Sequence, residues 1–399
     1  MNDFEQHQGA PPTQFDGFIP LSWAIVNPVS DIPRETREII LLERQAPVEV
    51  SKDLALRAKV LDACGLTCNF CHNEGTPVAI DNPSGLIQLG DKPGKSGRVS
   101  VFSDKNGVDF LPGKMNPNDP EYTRCLVALK TVLGLNELHL TGGEPTLHPQ
   151  LPDIVRVARE NGYSVSMTSN GEKGALRIAE SSLQGLSKIN FSVFGTTPEE
   201  LAEVQNVRYQ DVDLARKKIE SLHESIEVAA NSGIKVSANI VMGNAGHTDR
   251  VLKIIEDFDP RLELRILPDL GDVSVSALAI YGLLAELGAK PLVAAIEAGS
   301  SNSRVRYVLP NGRLVTFKQI RPTRLETCNG CIYNNDTDCF EGFYGTRLYV
   351  DNKGTYKVGV CLQRMDLVQN VDDFIDSGMS KEILTLRDQE YNKMQNLYR

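Results

Sequence analysis

The stretch that decides how this chain is interpreted lies at residues 62–75 and reads D-A-C-G-L-T-C-N-F-C-H-N-E-G. It holds three cysteines, Cys64, Cys68 and Cys71, at C-x3-C-x2-C spacing. Three thiolates on one tight loop can bind three irons of a [4Fe–4S] cube and leave the fourth iron open. An open iron is a place to bind and cleave a ligand, whereas a closed cube only stores an electron. The triplet therefore predicts an iron–sulfur cluster with one open iron.

A second group of cysteines lies far along the chain, at C-x2-C-x7-C-x21-C spacing, and consists of Cys328, Cys331, Cys339 and Cys361. In a reducing compartment, metal binding by thiolates is a better interpretation of two such groups than a disulfide framework. The eighth cysteine, Cys125, stands alone at an apolar position of a helical pattern. It is predicted to be plain core packing.

Composition excludes several classes of protein. With 399 residues, 41% hydrophobic and 24% charged, the chain is typical of a soluble globular protein. A net charge of −10 argues against coating nucleic acid or binding anionic membranes, which favour basic surfaces. No apolar run of membrane-spanning length occurs, and residues 1–15 are polar with no signal-peptide core. The predicted compartment is the cytoplasm, with residues 1–15 as a loose tail.

Strand and helix patterns alternate from the first cysteine group onwards. Predicted strands lie at 54–63, 137–141, 163–169, 188–194, 235–242 and 262–267, and predicted helices at 119–133, 150–161, 173–183, 197–205, 212–231 and 248–257. Such alternation predicts a parallel sheet with helices outside, here a partial (β/α)6 TIM-like barrel of the α/β class. The strand ends carry cysteines, G-G-E, S-N-G and M-G-N, where ligands bind in such folds.

The elements outside this run are less regular. Residues 36–51 are predicted as two short strands around a turn, and residues 274–288 and 291–298 as helices. Hairpins are predicted at Asn311-Gly312 and over 346–360, and a polar helix over 381–398. These patterns divide the chain into an N-terminal cap (1–53), the barrel (54–270) and a C-terminal domain (271–399). Between the cysteines and the first predicted helix, the irregular residues 76–117, with a possible strand near Val99, are predicted to cover a substrate or to be a disordered surface loop.

The cysteine triplet and the next strand together resemble a known family. That strand runs into Gly142-Gly143-Glu144-Pro145, and the combination resembles the radical SAM enzymes over roughly residues 54–365. The resemblance implies that the open iron chelates the amino and carboxylate groups of S-adenosylmethionine (SAM). An electron from the cluster then breaks the sulfur–C5′ bond, and the 5′-deoxyadenosyl radical abstracts hydrogen from a substrate.

The resemblance also implies roles for individual residues. Phe70 places its backbone against the adenine, Gly142 and Gly143 admit close backbone approach, and Glu144 accepts from the methionine ammonium. The ribose hydroxyls or the methionine carboxylate are assigned to Ser192 and Asn239, while Ser169 and Asn170 face the site in less defined roles. His72 is either a donor near the cluster or a solvated loop histidine.

For the second cysteine group, the alternatives are a structural zinc and an auxiliary [4Fe–4S] cluster. The segment G-T-R-L-Y-V-D-N-K-G-T-Y-K-V-G-V-C-L resembles the approach to the last cluster cysteine in radical SAM enzymes with a twitch/SPASM-type C-terminal domain. The resemblance favours the auxiliary cluster. With Cys339 as fourth ligand the cluster is closed, and without it an open iron can hold substrate.

The chain is most similar to the molybdenum-cofactor GTP 3′,8-cyclase branch, including Arg57 seven residues before the first cysteine. It departs from that branch in four places: His139 replaces an arginine, I-Y-N-N after Cys331 replaces an arginine-rich run, the spacing to the last cysteine is longer, and the terminal glycine pair is absent. The departures predict a different small-molecule substrate, a nucleotide, nucleoside or sugar derivative. Candidate substrate contacts are Arg57, His139, Arg265 and Arg347.

The expected partners are a small-molecule substrate and a reductant such as flavodoxin or ferredoxin, with no nucleic acid and no membrane. One alternative function is a peptide-modifying radical SAM enzyme, although the residues before the first barrel strand are few and poor in helix signals. A non-catalytic iron–sulfur or zinc protein is the alternative from another class. Such a protein would leave the polar residues at the ends of the strands unexplained.

Overall fold

The structure is a computed structural model that describes residues 32–68, 70, 71, 74, 111–335 and 339–398. Several predictions fall outside these residues: the N-terminal tail, His72, and the strand near Val99 within the long irregular segment.

In the described part of the N-terminal cap a helix is followed by a strand, so the prediction of two strands at 36–51 is wrong in its first half. Helix α1 spans Arg34–Glu43 and strand β1 spans Val48–Lys52. Thr36, Ile39, Ile40 and Glu43 are the buried residues of α1. Their spacing of three and four residues forms one helical face, and this period outweighs the strand preference of two adjacent isoleucines.

Six parallel strands form the centre of the fold and confirm the predicted partial barrel. They are β2 (Ala55–Lys59), β3 (Glu137–Thr141), β4 (Ser164–Ser169), β5 (Leu186–Ser192), β6 (Lys235–Met242) and β7 (Glu263–Pro268). Each pairs in parallel with the next along the chain. Parallel neighbours of this kind bring all the strand ends that carry the motifs to one edge of the sheet.

The predicted helices of the barrel are confirmed. They are α2 (Pro120–Leu133), α3 (Leu151–Glu160), α4 (Ala175–Leu183), α5 (Pro198–Glu203), α6 (Val212–Asn231) and α7 (Thr248–Asp257). Asp119 caps α2 by accepting from the Glu121 backbone N–H, and Gly134 ends that helix at a left-handed φ of 65°. Cys125 is fully buried in α2, as predicted.

After β7 the chain forms helix α8 (Val273–Glu286) and three strands, β8 (Lys290–Ala298), β9 (Asn302–Val308) and β10 (Leu314–Ile320). The helix predicted at 291–298 is therefore wrong. This segment pairs with β1 on one side and β9 on the other, and its burial alternates along most of its length. Its alanines and leucine suit a helix locally, but two partner strands determine the outcome. The β9–β10 hairpin turns at Gly312 with φ 83°, as predicted.

The chain closes with β11 (Thr346–Val350), β12 (Tyr356–Gly359), β13 (Gln369–Asn370), α9 (Val371–Asp376) and α10 (Gly378–Leu397). The thirteen strands of the described residues form one sheet, in the order β1-β8-β9-β10-β7-β6-β5-β4-β3-β2-β11-β12-β13. The sheet continues across residue 270, and the division into domains stays a prediction.

The strand register shows where the two cysteine groups lie. The first group follows the carboxyl end of β2. Arg57, in the middle of β2, pairs with Arg347 of the parallel strand β11, and Arg347 pairs with Gly359 of the antiparallel strand β12. Cys361 follows Gly359 by two residues, so it lies towards the amino ends of the barrel strands. The two groups therefore approach the barrel from opposite ends.

Candidate active site

The cysteine triplet lies on a loop that crosses the carboxyl end of β2. Cys68 is 6% exposed, and the Cys71 backbone N–H donates to the Cys68 carbonyl at 3.2 Å. Burial raises the pKa of the Cys68 thiol, and the thiols of Cys64 and Cys71 raise it further. Three thiolates this close repel one another unless a cation binds between them. The loop is therefore suited to an iron cluster, whose irons supply that positive charge.

The two glycines after β3 press against the chain that enters this loop. Gly143 N–H donates to the Leu61 carbonyl at 2.8 Å, and Glu144 N–H donates to the Ala63 carbonyl at 2.8 Å. A Cβ on Gly142 would lie 2.4 Å from the Leu61 oxygen, and one on Gly143 would lie 2.2 Å from the Ala63 oxygen. Both positions must therefore be glycine for the cysteine loop to pack here, whether or not a cofactor also approaches them.

Glu144 is 1% exposed and joins two strand ends. Its Oε1 accepts from Thr146 N–H at 3.0 Å, Thr146 Oγ1 at 2.7 Å and Ser169 Oγ at 2.7 Å, and its Oε2 accepts from Asn170 N–H at 2.6 Å. Burial raises the pKa of Glu144, and these hydrogen bonds oppose the rise. A carboxylate has about four acceptor positions, so Oε2 keeps capacity for an ammonium donor.

Ser192 and Asn239 lie side by side, because they pair in register across β5 and β6. Asn239 Oδ1 is buried, and no described residue donates a hydrogen bond to it. An acceptor in this position requires a partner from outside these residues. The ring of Phe70 is 44% exposed and packs edge-on against Phe194, with ring centroids 5.2 Å apart.

A cavity beside the triplet is lined by Leu66, Asn170, Glu172, Ser192, Phe194 and Lys218, among others. Glu172 and Lys218 form an ion pair there, and sequence reasoning missed both. They are 46 residues apart with no shared motif, so only the fold brings them together. Asn239, Glu144 and this cavity fit a ligand that carries both donors and acceptors, as the amino-acid part of SAM does.

The interior of the barrel is rich in cations. Tyr344 is flanked by Arg57, whose Cζ is 4.4 Å from the ring centroid, and by Lys318, whose Nζ is 4.2 Å from it. Lys188 and Arg265 also lie in this interior, and their charges act on each other. Burial lowers the pKa of Lys188 to about 8, with the Arg265 charge as the next cause. Sequence reasoning missed Lys188, Lys318 and Tyr344.

None of these four cations, Arg57, Lys188, Arg265 and Lys318, forms an ion pair with a described carboxylate. Arg304 differs from them because it pairs with Glu297. The Glu263 and Glu297 carboxylates act on Lys188 and Arg265 only at longer range. Half-buried cations with no carboxylate in ion-pair contact are costly, and they favour an anionic ligand.

His139 faces the same interior, but both of its ring nitrogens are engaged. Nδ1 lies 2.8 Å from Ser166 Oγ and Nε2 lies 2.8 Å from Thr168 Oγ1. Burial lowers the pKa of His139 well below its usual value, and the Arg57 charge lowers it further. The imidazole is therefore neutral and fixed. Its predicted contact with substrate stays a prediction.

Arg347, the fourth predicted substrate contact, is 4% exposed and engaged elsewhere. Its Nε pairs with Glu74 Oε2 at 3.2 Å, and Glu74 Oε1 accepts from Thr141 Oγ1 at 2.6 Å. Glu74 lies three residues beyond Cys71. This ion pair therefore connects the cysteine loop to β11, and direct contact between Arg347 and substrate stays a prediction.

All four cysteines of the second group line one cavity. Burial, with a smaller effect from the neighbouring Cys339 thiol, raises the pKa of Cys361 to about 11. Arg324 Nη2 donates to the Cys339 carbonyl at 2.6 Å. Cys339 thus shares the cavity with Cys328, Cys331 and Cys361. Within the described ranges, no three His, Cys, Asp or Glu side chains converge as ligands of a single metal ion.

The fold and site together define a class: a partial β/α barrel whose cofactor site is built on cysteine sulfurs at the carboxyl ends of its strands. Residues 59–258 match the Radical SAM superfamily. The chain therefore belongs to the Radical SAM superfamily. It is an enzyme, and the cofactors of this superfamily are a [4Fe–4S] cluster and SAM. The residues described above fit both.

Two relatives and one solved structure illustrate the similarity. A probable GTP 3′,8-cyclase of Metallosphaera sedula is 28% identical over 323 residues, covering 79% of this chain and 83% of the relative. One from a Saccharolobus islandicus strain is 30% identical over 336 residues, covering 82% and 89%. The structure of Streptococcus suis SuiB bound to S-adenosylmethionine covers 88% of this chain and 71% of its own, at 14% identity and a TM-score of 0.46.

Among the described helices, none is both long and apolar enough to cross a membrane.

Proposed function

We propose that this enzyme reductively cleaves SAM at a cluster held by Cys64, Cys68 and Cys71 and abstracts hydrogen from an anionic small molecule bound inside the barrel. The substrate class is a nucleotide or a phosphorylated nucleoside or sugar derivative. When bound, the cluster would supply one electron to SAM, which would break the sulfur–C5′ bond and yield methionine and a 5′-deoxyadenosyl radical. A reductant such as flavodoxin or ferredoxin supplies that electron.

The chain's own residues have separate tasks in this proposal. Glu144 holds the ammonium of SAM, Ser192 and Asn239 hold its ribose or carboxylate, and Phe70 lies against its adenine. Lys188, Arg265 and Arg57 hold the negative charges of the substrate in the barrel interior. Water exclusion follows from the burial of this interior, which strengthens each charge interaction.

The observation that carries the proposed substrate class is the set of four cations in the barrel, none of which forms an ion pair with a described carboxylate. They lie on four different strands and so surround a central position. The two cysteine groups approach this position from opposite ends. We therefore propose that the second group holds an auxiliary [4Fe–4S] cluster that borders the substrate site.

The test compares substrates and variants under anaerobic conditions, with SAM, dithionite and panels of nucleotides, sugar phosphates and their neutral counterparts. We expect anionic compounds alone to stimulate 5′-deoxyadenosine formation. Lys188→Met and Arg265→Met should each raise the half-maximal substrate concentration about tenfold, which corresponds to ~1.4 kcal/mol. Arg216→Met, on the exposed face of α6, is the matched control. Equal stimulation by neutral compounds would contradict the proposal.

GTP itself is a second candidate, because the relatives reported above are named probable GTP 3′,8-cyclases. In this candidate Arg57 and Arg265 would bind its phosphates, whereas His139 is neutral and hydrogen-bonded to β4. In the same assay, stimulation by GTP above all other nucleotides would select this candidate.

A further inference from the structure

Two side-chain amides lie against the sulfurs of the cysteine triplet. Asn170 Nδ2 is 3.5 Å from Cys64 Sγ, and Gln205 Nε2 is 3.8 Å from Cys68 Sγ. Neither amide belongs to the cysteine loop. Asn170 follows β4 and Gln205 follows α5, so two separate barrel connections each contribute one neutral donor.

The orientation of the Asn170 amide is fixed by its neighbours. The Glu172 backbone N–H donates to Asn170 Oδ1 at 2.9 Å, which identifies the oxygen and leaves Nδ2 facing Cys64. The Asn170 backbone N–H is held by Glu144 at 2.6 Å. The donor is therefore held in place from both its main chain and its side chain.

Gln205 is fixed in the same way and is 6% exposed. The Thr67 backbone N–H donates to Gln205 Oε1 at 2.7 Å, and Gln205 Nε2 donates to the Leu201 carbonyl at 3.1 Å. The backbones of Cys68 and Gln205 also form an isolated β-bridge. The second amide hydrogen is thus directed at the sulfur.

We propose that Asn170 and Gln205 set the reduction potential of the cluster held by the triplet, through N–H···S hydrogen bonds to two of its three thiolates. This inference rests on the proposed function. Hydrogen bonds to cluster sulfurs stabilise the reduced form most, because its extra electron places more negative charge on the sulfurs. Each amide therefore raises the potential and eases electron uptake. Both are positioning residues and do not touch substrate.

The test is an anaerobic redox titration of the reconstituted full chain, followed by electron paramagnetic resonance. The signal that changes when SAM is added belongs to the cluster with the open iron. We expect Gln205→Met and Asn170→Leu each to lower the reduced-to-oxidised ratio at a fixed potential about tenfold, which is ~59 mV for one electron. Gln205→Glu, which keeps the acceptor for Thr67 and removes the donor, should lower it at least as far.

Gln210→Met is the control for disturbance of this connection, because Gln210 Nε2 donates to the Glu203 carbonyl at 3.0 Å and the Gln205 carbonyl at 3.3 Å, and neither acceptor is a sulfur. It should leave the midpoint potential unchanged. Unchanged midpoints in Gln205→Glu and Asn170→Leu, with the wild-type iron content, would overturn the inference. A wild-type chain that assembles no SAM-responsive cluster would instead overturn the proposed function on which it rests.

Discussion

At the scale of single residues, contact between the glycine pair and the cysteine loop is the strictest requirement. A side chain on Gly143 has no room, because its Cβ would lie within 2.6 Å of three backbone atoms of Asp62 and Ala63. Backbone atoms cannot move aside as a flexible side chain can. The glycines therefore determine how the cysteine loop is held before any cofactor arrives.

We predict that Gly143→Ala prevents proper seating of the loop and lowers the iron content of the SAM-binding cluster several-fold. The measurement is iron and sulfide analysis after anaerobic reconstitution, together with the SAM-responsive spectroscopic signal. Gly378→Ala, at a glycine with open space around its Cβ position, should retain full iron content. Normal cluster content in Gly143→Ala would show that the loop tolerates the displacement.

That these residues lie together could be predicted from the sequence for a physical reason, while their roles toward a cofactor stay predictions. Cysteines, glycines and an acid at fixed short spacings are a local pattern, and the alternating strands bring strand ends together in any such barrel. Lys188, Lys318, Tyr344 and Lys218 could not be found this way. Each is an ordinary residue of its own element, and only the strand register reveals its neighbours.

At the scale of elements, the ion pair between Arg347 and Glu74 joins β11 to the cysteine loop. Its side chains are 5% and 12% exposed, so removing one partner leaves the other charge buried. We predict that Arg347→Met lowers the free energy of unfolding by roughly 3–5 kcal/mol. Denaturant titration measures this.

Two comparisons make that prediction specific. The double variant Arg347→Met with Glu74→Gln should recover part of the loss, because no buried charge is then left alone. Arg156→Met, which removes the exposed pair with Glu160, should cost less than about 1 kcal/mol. Equal costs for the buried and exposed pairs would count against a structural role for Arg347 between the elements.

His148, before α3, makes the stability of this connection depend on pH. Its Nε2 lies 2.9 Å from the Met115 carbonyl, while Nδ1 accepts from the Gln150 backbone N–H at 3.1 Å, so the ring is neutral. Burial lowers the pKa of His148 to about 4. Above the unfolded value of about 6.5, both states are neutral and this contribution is fully present. Between this value and the pKa of the folded state, only the unfolded state takes up the proton, so lowering the pH destabilises the folded state.

We therefore predict that the stability advantage of the wild type over His148→Gln falls between about pH 6.5 and pH 4, by up to about 3 kcal/mol. The measurement is the difference in free energy of unfolding between the two proteins at several pH values. A difference that is constant over this window would show that His148 does not resist protonation.

The two wrong element predictions have the same cause. Both α1 and β8 lie at one end of the sheet, where neighbours distant in sequence determine the structure. Burial against α8 favours a helix at 34–43, and pairing with β1 and β9 favours a strand at 290–298. Within the barrel, where each element follows its partner in the chain, pattern and structure agree.

At the scale of the whole molecule, one continuous sheet carries both cysteine groups. Strand β2 leads into the first group and β12 into the second, with β11 between them. We predict about eight irons per reconstituted chain, as two cubes require, and about four in a Cys328→Ala, Cys331→Ala variant. Four irons with one zinc in the wild type would identify the second group as a structural zinc site.

The central claim is that the cluster held by the cysteine triplet cleaves SAM. Its most direct test mixes the iron-loaded chain with SAM and dithionite anaerobically and measures 5′-deoxyadenosine. We predict formation by the wild type and by Cys125→Ala, whose cysteine is a core residue, and none by the Cys64→Ala, Cys68→Ala, Cys71→Ala variant. A fully loaded wild type that forms no 5′-deoxyadenosine even with the substrate panel present, or a triple variant that still forms it, would contradict the claim.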